Sequence, residues 1–154
     1  MVLSEGTKAV LEYKVEEKDL AKNLNISIDD DFPEVFATAR LVALMEVSAA
    51  KILIPFLNEG ELSVGVGVDI KHLAATLCGD TAVSTATFVG MEGKLYKFEI
   101  EVKDSGGIIG TGTHTRAIVS NERLLSGAKK EWLNKNDRVK ITLSFLILHQ
   151  QRRF

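Results

Sequence analysis

The chain has 154 residues, 45% of them hydrophobic and 26% charged, with a formal net charge of −2. That profile fits a single globular domain with a substantial core, and it lacks the overall basic footprint of a nucleic-acid binder. The charge is uneven, net −7 over residues 1–120 and net +5 over residues 121–154, and the lone Cys78 excludes an internal disulfide framework and points to a reducing compartment.

The opening stretch MVLSEGTKAVLEYKV carries early acidic residues and no apolar signal core, so it does not read as a secretory signal. No run approaches the roughly 20 apolar residues of a spanning helix. The expectation is a cytoplasmic protein without membrane or nucleic-acid partners. Within KAVLEYKVEEKDLA the near-alternation of apolar and polar residues up to Val15 predicts a first strand. NLNISIDDDFPEVF breaks it, with three consecutive aspartates and Pro33 marking a loop that runs into a helix.

From about Pro33 to Leu57 the chain is rich in Ala, Leu and Met and free of Gly, which predicts a helix. It is apolar almost all round, so it is expected to be enclosed. Pro55 and then NEGE end it. Four strands should follow, in ELSVGVGVDIKHLAA, DTAVSTATFVGMEG, KLYKFEIEVKDSGG and GIIGTGTHTRAIVS. The third alternates strictly, with Tyr96, Phe98, Ile100 and Val102 on one face. Short connections between consecutive strands predict an antiparallel meander. Strand, long apolar helix and then strands together predict an α+β fold, the sheet curled around the helix. The basic stretch after it, with the apolar run Ile141–Leu148 and His149, reads as an accessory extension.

Glu46 is the anomaly of the helix, a carboxylate amid TARLVALMEVSAAKIL. Unpaired, it would be costly to bury. Lys51, about 140° round the helix, and Arg40, six residues back, are both poorly placed to neutralise it. Either Glu46 snorkels at a helix edge or it serves chemistry, since a carboxylate kept from water can act as a base near neutral pH. Thr38 lies two turns earlier, about 80° away in projection and roughly 12 Å along the axis, so a third group, such as His72, would have to complete any constellation.

His72 and His114 are lone histidines, a class more often structural than catalytic. Gly65 and Gly67 match no phosphate-binding motif. They mark either a sheet bend or a close approach, where a backbone N–H could serve an oxyanion. His114 and Arg116 share one strand face. Arg116 is either a surface residue or an anion holder. No spacing suggests a metal.

Three blocks, FPEVFATARLVALMEVSAAKIL, VGVGVDIKHLAATLCG and GGIIGTGTHTRAIV, resemble in order the fluoroacetyl-CoA thioesterase-like family of hot-dog thioesterases. The resemblance covers roughly residues 5–125. It implies a hot-dog domain over residues 1–125, with residues 126–154 as an extension, and usually a homodimer or higher homo-oligomer with active sites at the subunit interface. It places Thr38, Glu46 and His72 on the catalytic threonine, glutamate and histidine, Gly65 on a glycine facing the acyl group, and Arg116 on an arginine lining the acyl pocket. The implied reaction is hydrolysis of a short-chain acyl-CoA to carboxylate and free CoA, with no cofactor beyond the CoA of the substrate. Members that hydrolyse fluoroacetyl-CoA carry an aromatic residue just upstream of the Phe32 position, where this chain has Asp29–Asp31, so fluoroacetyl specificity is not expected. A hot-dog hydratase or dehydratase, and a non-catalytic acyl-CoA or small-ligand binding module, are the alternatives. Release of free thiol from acyl-CoAs separates the binding module from the thioesterase.

Overall fold

The computed structural model describes residues 2–132 and 135. Ile141–Leu148 and His149 lie outside the described residues. Two compact units are present, the first made of Met1–Asn58 with Ser63–Ile118 and the second of Glu59–Leu62 with the described residues from Val119 on.

Strand β1 (Lys8–Lys14) is followed by short turns of 3-10 helix, helix α1 (Thr38–Leu53), another such turn at Ile54–Phe56, and strands β2 (Glu61–His72), β3 (Thr81–Glu92), β4 (Leu95–Asp104) and β5 (Gly107–Ser120). The strand order is β1-β3-β4-β5-β2. β1 to β3, β3 to β4 and β4 to β5 are antiparallel. β2 also runs against β5, with Gly112 beside Asp69 and Ile70 and Gly110 beside Lys71. Register shifts at Phe88/Gly90 and Val102/Lys103 bend the sheet. The α+β architecture, one central helix on an antiparallel sheet, is the one expected.

The simple meander is not. β3, β4 and β5 are neighbours in chain order, but β2 crosses to the far edge of the sheet beside β5. Residues 73–80 make that crossing along one end of the sheet. Leu73 N–H bonds to Ile109 O, the Thr76 hydroxyl to Asp104, and Gly79 N–H to Val15 O.

The helix is shorter than its composition suggested. Residues 33–37 stay outside the helix because their backbone is engaged elsewhere. Ala21 N–H bonds to Val35 O, Leu20 bridges Phe36, and Phe36 N–H bonds to Thr76 O. One stripe of α1 is buried, comprising Leu41, Leu44, Met45, Ser48, Ala49, Ile52 and Leu53, the spacing of a core-facing helix. It packs on Ala82, Ala86, Phe88, Phe98, Ile100 and Val102. Small residues on β3 let the helix come close, and Ser48 and Ser84 satisfy each other at 2.8 Å. Gly110 extends this fit, since a Cβ there would stand 2.9 Å from Leu41 Cδ2 and 3.3 Å from Lys71 O. Truncating Leu41 would cost about 2–5 kcal/mol by cavity formation.

The expectation of an enclosed helix fails for the chain by itself. Ala39, Arg40, Ala43, Val47 and Lys51 are exposed, because the sheet covers only one side of α1. In the second unit, Asn121 N–H bonds to Gly60 O at 3.0 Å, and a second helix runs over residues 121–132. No helix among the described residues is long and apolar enough to cross a membrane.

Candidate active site

Helix α1 carries Thr38 at its first position and Glu46 two turns on. His72 closes β2. Thr38 Oγ1 lies 2.9 Å from His72 Nδ1. Both line an open cleft of about 430 Å³ with Phe32, Phe36, Leu73 and Ala74. His72 Nε2 is buried without a hydrogen-bond partner among the described residues. Burial pushes the His72 pKa below its ordinary value, opposed in part by the Ala74 backbone. The ring is therefore neutral at neutral pH.

Glu46 joins a different group. Its side chain is 42% exposed, so the carboxylate reaches water in the single chain and is not sealed in an apolar setting. α1 packs over β3, β1 and β4, and the Glu46 carboxylate lies against Gly65 of β2 instead of in the core. Neither Arg40 nor Lys51 accompanies it: the Arg40 Nε lies 3.6 Å from Asp19 Oδ1, and Lys51 is exposed. Glu46 Oε1 occupies the notch left by the missing side chain of Gly65, and His114 Nε2 stands 3.8 Å away.

Beneath it lies a buried polar group from β5 and β2. His114 is 1% exposed and Arg116 6%. His114 Nδ1 is 2.7 Å from Gly67 O, and because a carbonyl only accepts, Nδ1 carries the proton. Nε2 then presents a lone pair to Arg116 Nη1 at 3.0 Å. Arg116 also donates from Nε to Ser63 Oγ at 3.2 Å, from Nη2 to Ser63 O at 2.7 Å, and from Nη1 to Glu46 O at 3.4 Å. Burial lowers the His114 pKa, the Gly67 carbonyl opposes that, and the Arg116 charge lowers it further.

The structure thus brings Thr38 and His72 together, and Glu46, Gly65 and Arg116 together. Within one chain no hydrogen bond among the described residues joins Glu46 to Thr38 or His72. Arg116, for which a surface position was one reading, is a buried clamp between the helix backbone and β2. Ser63 was missed, although it stands two residues before Gly65 and so shares its strand face by the period of two. His114 was set aside as a lone histidine. Its shared face with Arg116 was legible, but its contact with the β2 backbone was not.

Residues 15–122 match the family described as fluoroacetyl-CoA-specific thioesterase, FlK. The fluoroacetyl-CoA thioesterase of Streptantibioticus cattleyicolor is 39% identical over 93 residues, 60% of this chain and 67% of that protein. A solved structure of the fluoroacetyl-CoA thioesterase FlK is 30% identical with a TM-score of 0.81, covering 84% of this chain and 98% of that one. A Thermus thermophilus hypothetical protein, a thioesterase superfamily member, is 30% identical with a TM-score of 0.76, over 85% and 96% of the two chains.

Proposed function

The chain belongs to the fluoroacetyl-CoA-specific thioesterase family and is a thioester hydrolase acting on acyl-CoA, and from that premise we propose that Glu46, Thr38 and His72 hydrolyse a short-chain acyl-CoA. The observation that carries this reading is the seat of Glu46, whose carboxylate lies against backbone at Gly65 with no cation on its own helix beside it. Such a carboxylate is free to attack a carbonyl carbon or to take a proton from a water that does so.

The thioester carbonyl sits over the Gly65 backbone, where an N–H stabilises the developing oxyanion. Attack breaks the carbon–sulfur bond, and the CoA sulfur leaves as thiolate. Thr38 donates to His72 Nδ1, so the Nε2 N–H hydrogen-bonds the departing sulfur, and the proton that completes the thiol comes from the water. Water supplies the oxygen of the product carboxylate and the balancing proton. Arg116 bounds the acyl side of the site from behind Glu46. Phe32 lines the cleft with Asp29–Asp31 before it, so we assign a short acyl group without fluoroacetyl preference.

The reading includes a cytoplasmic homodimer. β2 is an edge strand with Leu62, Val66 and Val68 exposed, a surface that soluble chains cover or charge. A second copy there would enclose the half-exposed Glu46.

Thiol release from acyl-CoAs of increasing chain length tests the proposal. Wild-type protein is expected to release CoA fastest from the shortest chains, and Glu46→Gln to fold normally while losing about 10²–10⁴ in turnover. Wild-type turnover by Glu46→Gln would remove the carboxylate from the chemistry.

A further inference from the structure

We infer that His114 is a positioning residue for Glu46, acting through Arg116. The inference rests on Glu46 being the reacting carboxylate. A guanidinium has only donors, so a buried one needs acceptors on its nitrogens. Arg116 finds them at Ser63 Oγ, Ser63 O, Glu46 O and His114 Nε2. Among these only His114 must be held in one protonation state and one tautomer to accept at all. The Gly67 carbonyl fixes that tautomer by accepting a hydrogen bond from Nδ1–H.

A chain of constraints results. Gly67 O selects the ring form, the Nε2 lone pair fixes Arg116 Nη1, and the same nitrogen reaches the Glu46 carbonyl at 3.4 Å. The turn of α1 that carries Glu46 is thereby tied to β5 and β2, with the carboxylate in the Gly65 notch. The ring itself does not bond the carboxylate, since 3.8 Å is too long. His114 thus acts through its neighbour and not on the substrate. Protonation would set an N–H of the ring against an N–H of Arg116, and burial together with the Arg116 charge disfavours it. Misplacing a reacting group by about 1 Å can cost up to about 10²-fold in rate, which makes such a tie measurable.

Two substitutions separate the ring nitrogens. In His114→Asn the side-chain amide can still donate to Gly67 O, but nothing stands at the Nε2 position. In His114→Gln the amide oxygen reaches that position and accepts from Arg116, while the Gly67 tie is lost. The expected result is a fall in kcat of about tenfold for H114N with KM within about twofold, and recovery of most of that loss in H114Q. Ser63→Ala removes another Arg116 acceptor, leaves His114 in place, and should lower kcat at unchanged KM even where H114N does not fold. Wild-type kcat in H114N or in Ser63→Ala overturns the inference. So does an equal loss in H114N and H114Q, or a loss that only follows a lowered melting temperature. A failure of the carboxylate assignment is read separately, from Glu46→Gln.

Discussion

Glu46 and Gly65 fit together because residue 65 has no side chain: a Cβ there would fall inside contact distance of Glu46 Oε1 and 3.2 Å from His114 Cε1. The glycine is needed for a close approach, and its backbone lies outside the left-handed region, so strain plays no part. The atom in the way is the far end of a flexible side chain. Gly65→Ala should therefore leave the fold nearly intact while turning the carboxylate out of its seat. A fall in kcat of at least about tenfold is expected, with a melting temperature shift of only a few degrees, about 1 kcal/mol or less. Unchanged turnover in a folded Gly65→Ala protein would show that the seat is irrelevant to the reaction.

The 2.9 Å contact between Thr38 and His72 gives a second prediction. Thr38→Ser keeps the hydroxyl and should retain most activity. Thr38→Ala frees His72 Nδ1 and should lower kcat about tenfold, in line with a hydrogen bond of about 0.5–1.5 kcal/mol. Steady-state rates for the two variants decide it, equal rates being the contrary result.

The buried His114 and the partly buried His72 predict how stability depends on pH. Both pKa values lie below the ordinary histidine value, chiefly because burial disfavours the charged ring. Each therefore contributes stability that is present above the unfolded pKa of about 6.5 and is lost as pH falls through the lower folded value. Asp30 and Asp80 are also lowered, but their contribution declines only below about pH 4. Urea midpoints should thus fall between pH 7.5 and pH 5. The drop should be smaller in His114→Gln, and an equal drop would exclude His114 as a source.

The exposed β2 edge predicts self-association. Sedimentation should give a species of two chains or more, and Val66→Asp should shift it towards monomer with loss of thioesterase activity. A fully active monomer would separate the site from any subunit interface.

Several features were legible from local pattern alone. The alternation in KLYKFEIEVKD placed Phe98, Ile100 and Val102 in the core, where they are. The absence of an i to i+4 cation beside Glu46 was also correct. Other features depended on partners distant in sequence. Pro33 and the residues after it look like a helix start, yet their backbone is taken by Ala21 and Thr76. β2 reads like the first strand of a meander, yet it pairs at the far edge, because nothing in its own residues encodes its neighbour.

By itself, the sequence determined the α+β class, the strand periods, and the three blocks that resemble the thioesterase family. Periodicity and motif spacing are local properties of a chain, so they survive without a structure. The tertiary structure decided which groups meet. It put Thr38 against His72 across 34 positions, gave Arg116 its acceptors on Ser63 and His114, and left Glu46 half-exposed over Gly65. Those outcomes rest on the crossover of β2 and on small residues that let backbones approach, and both come from packing between segments far apart in sequence.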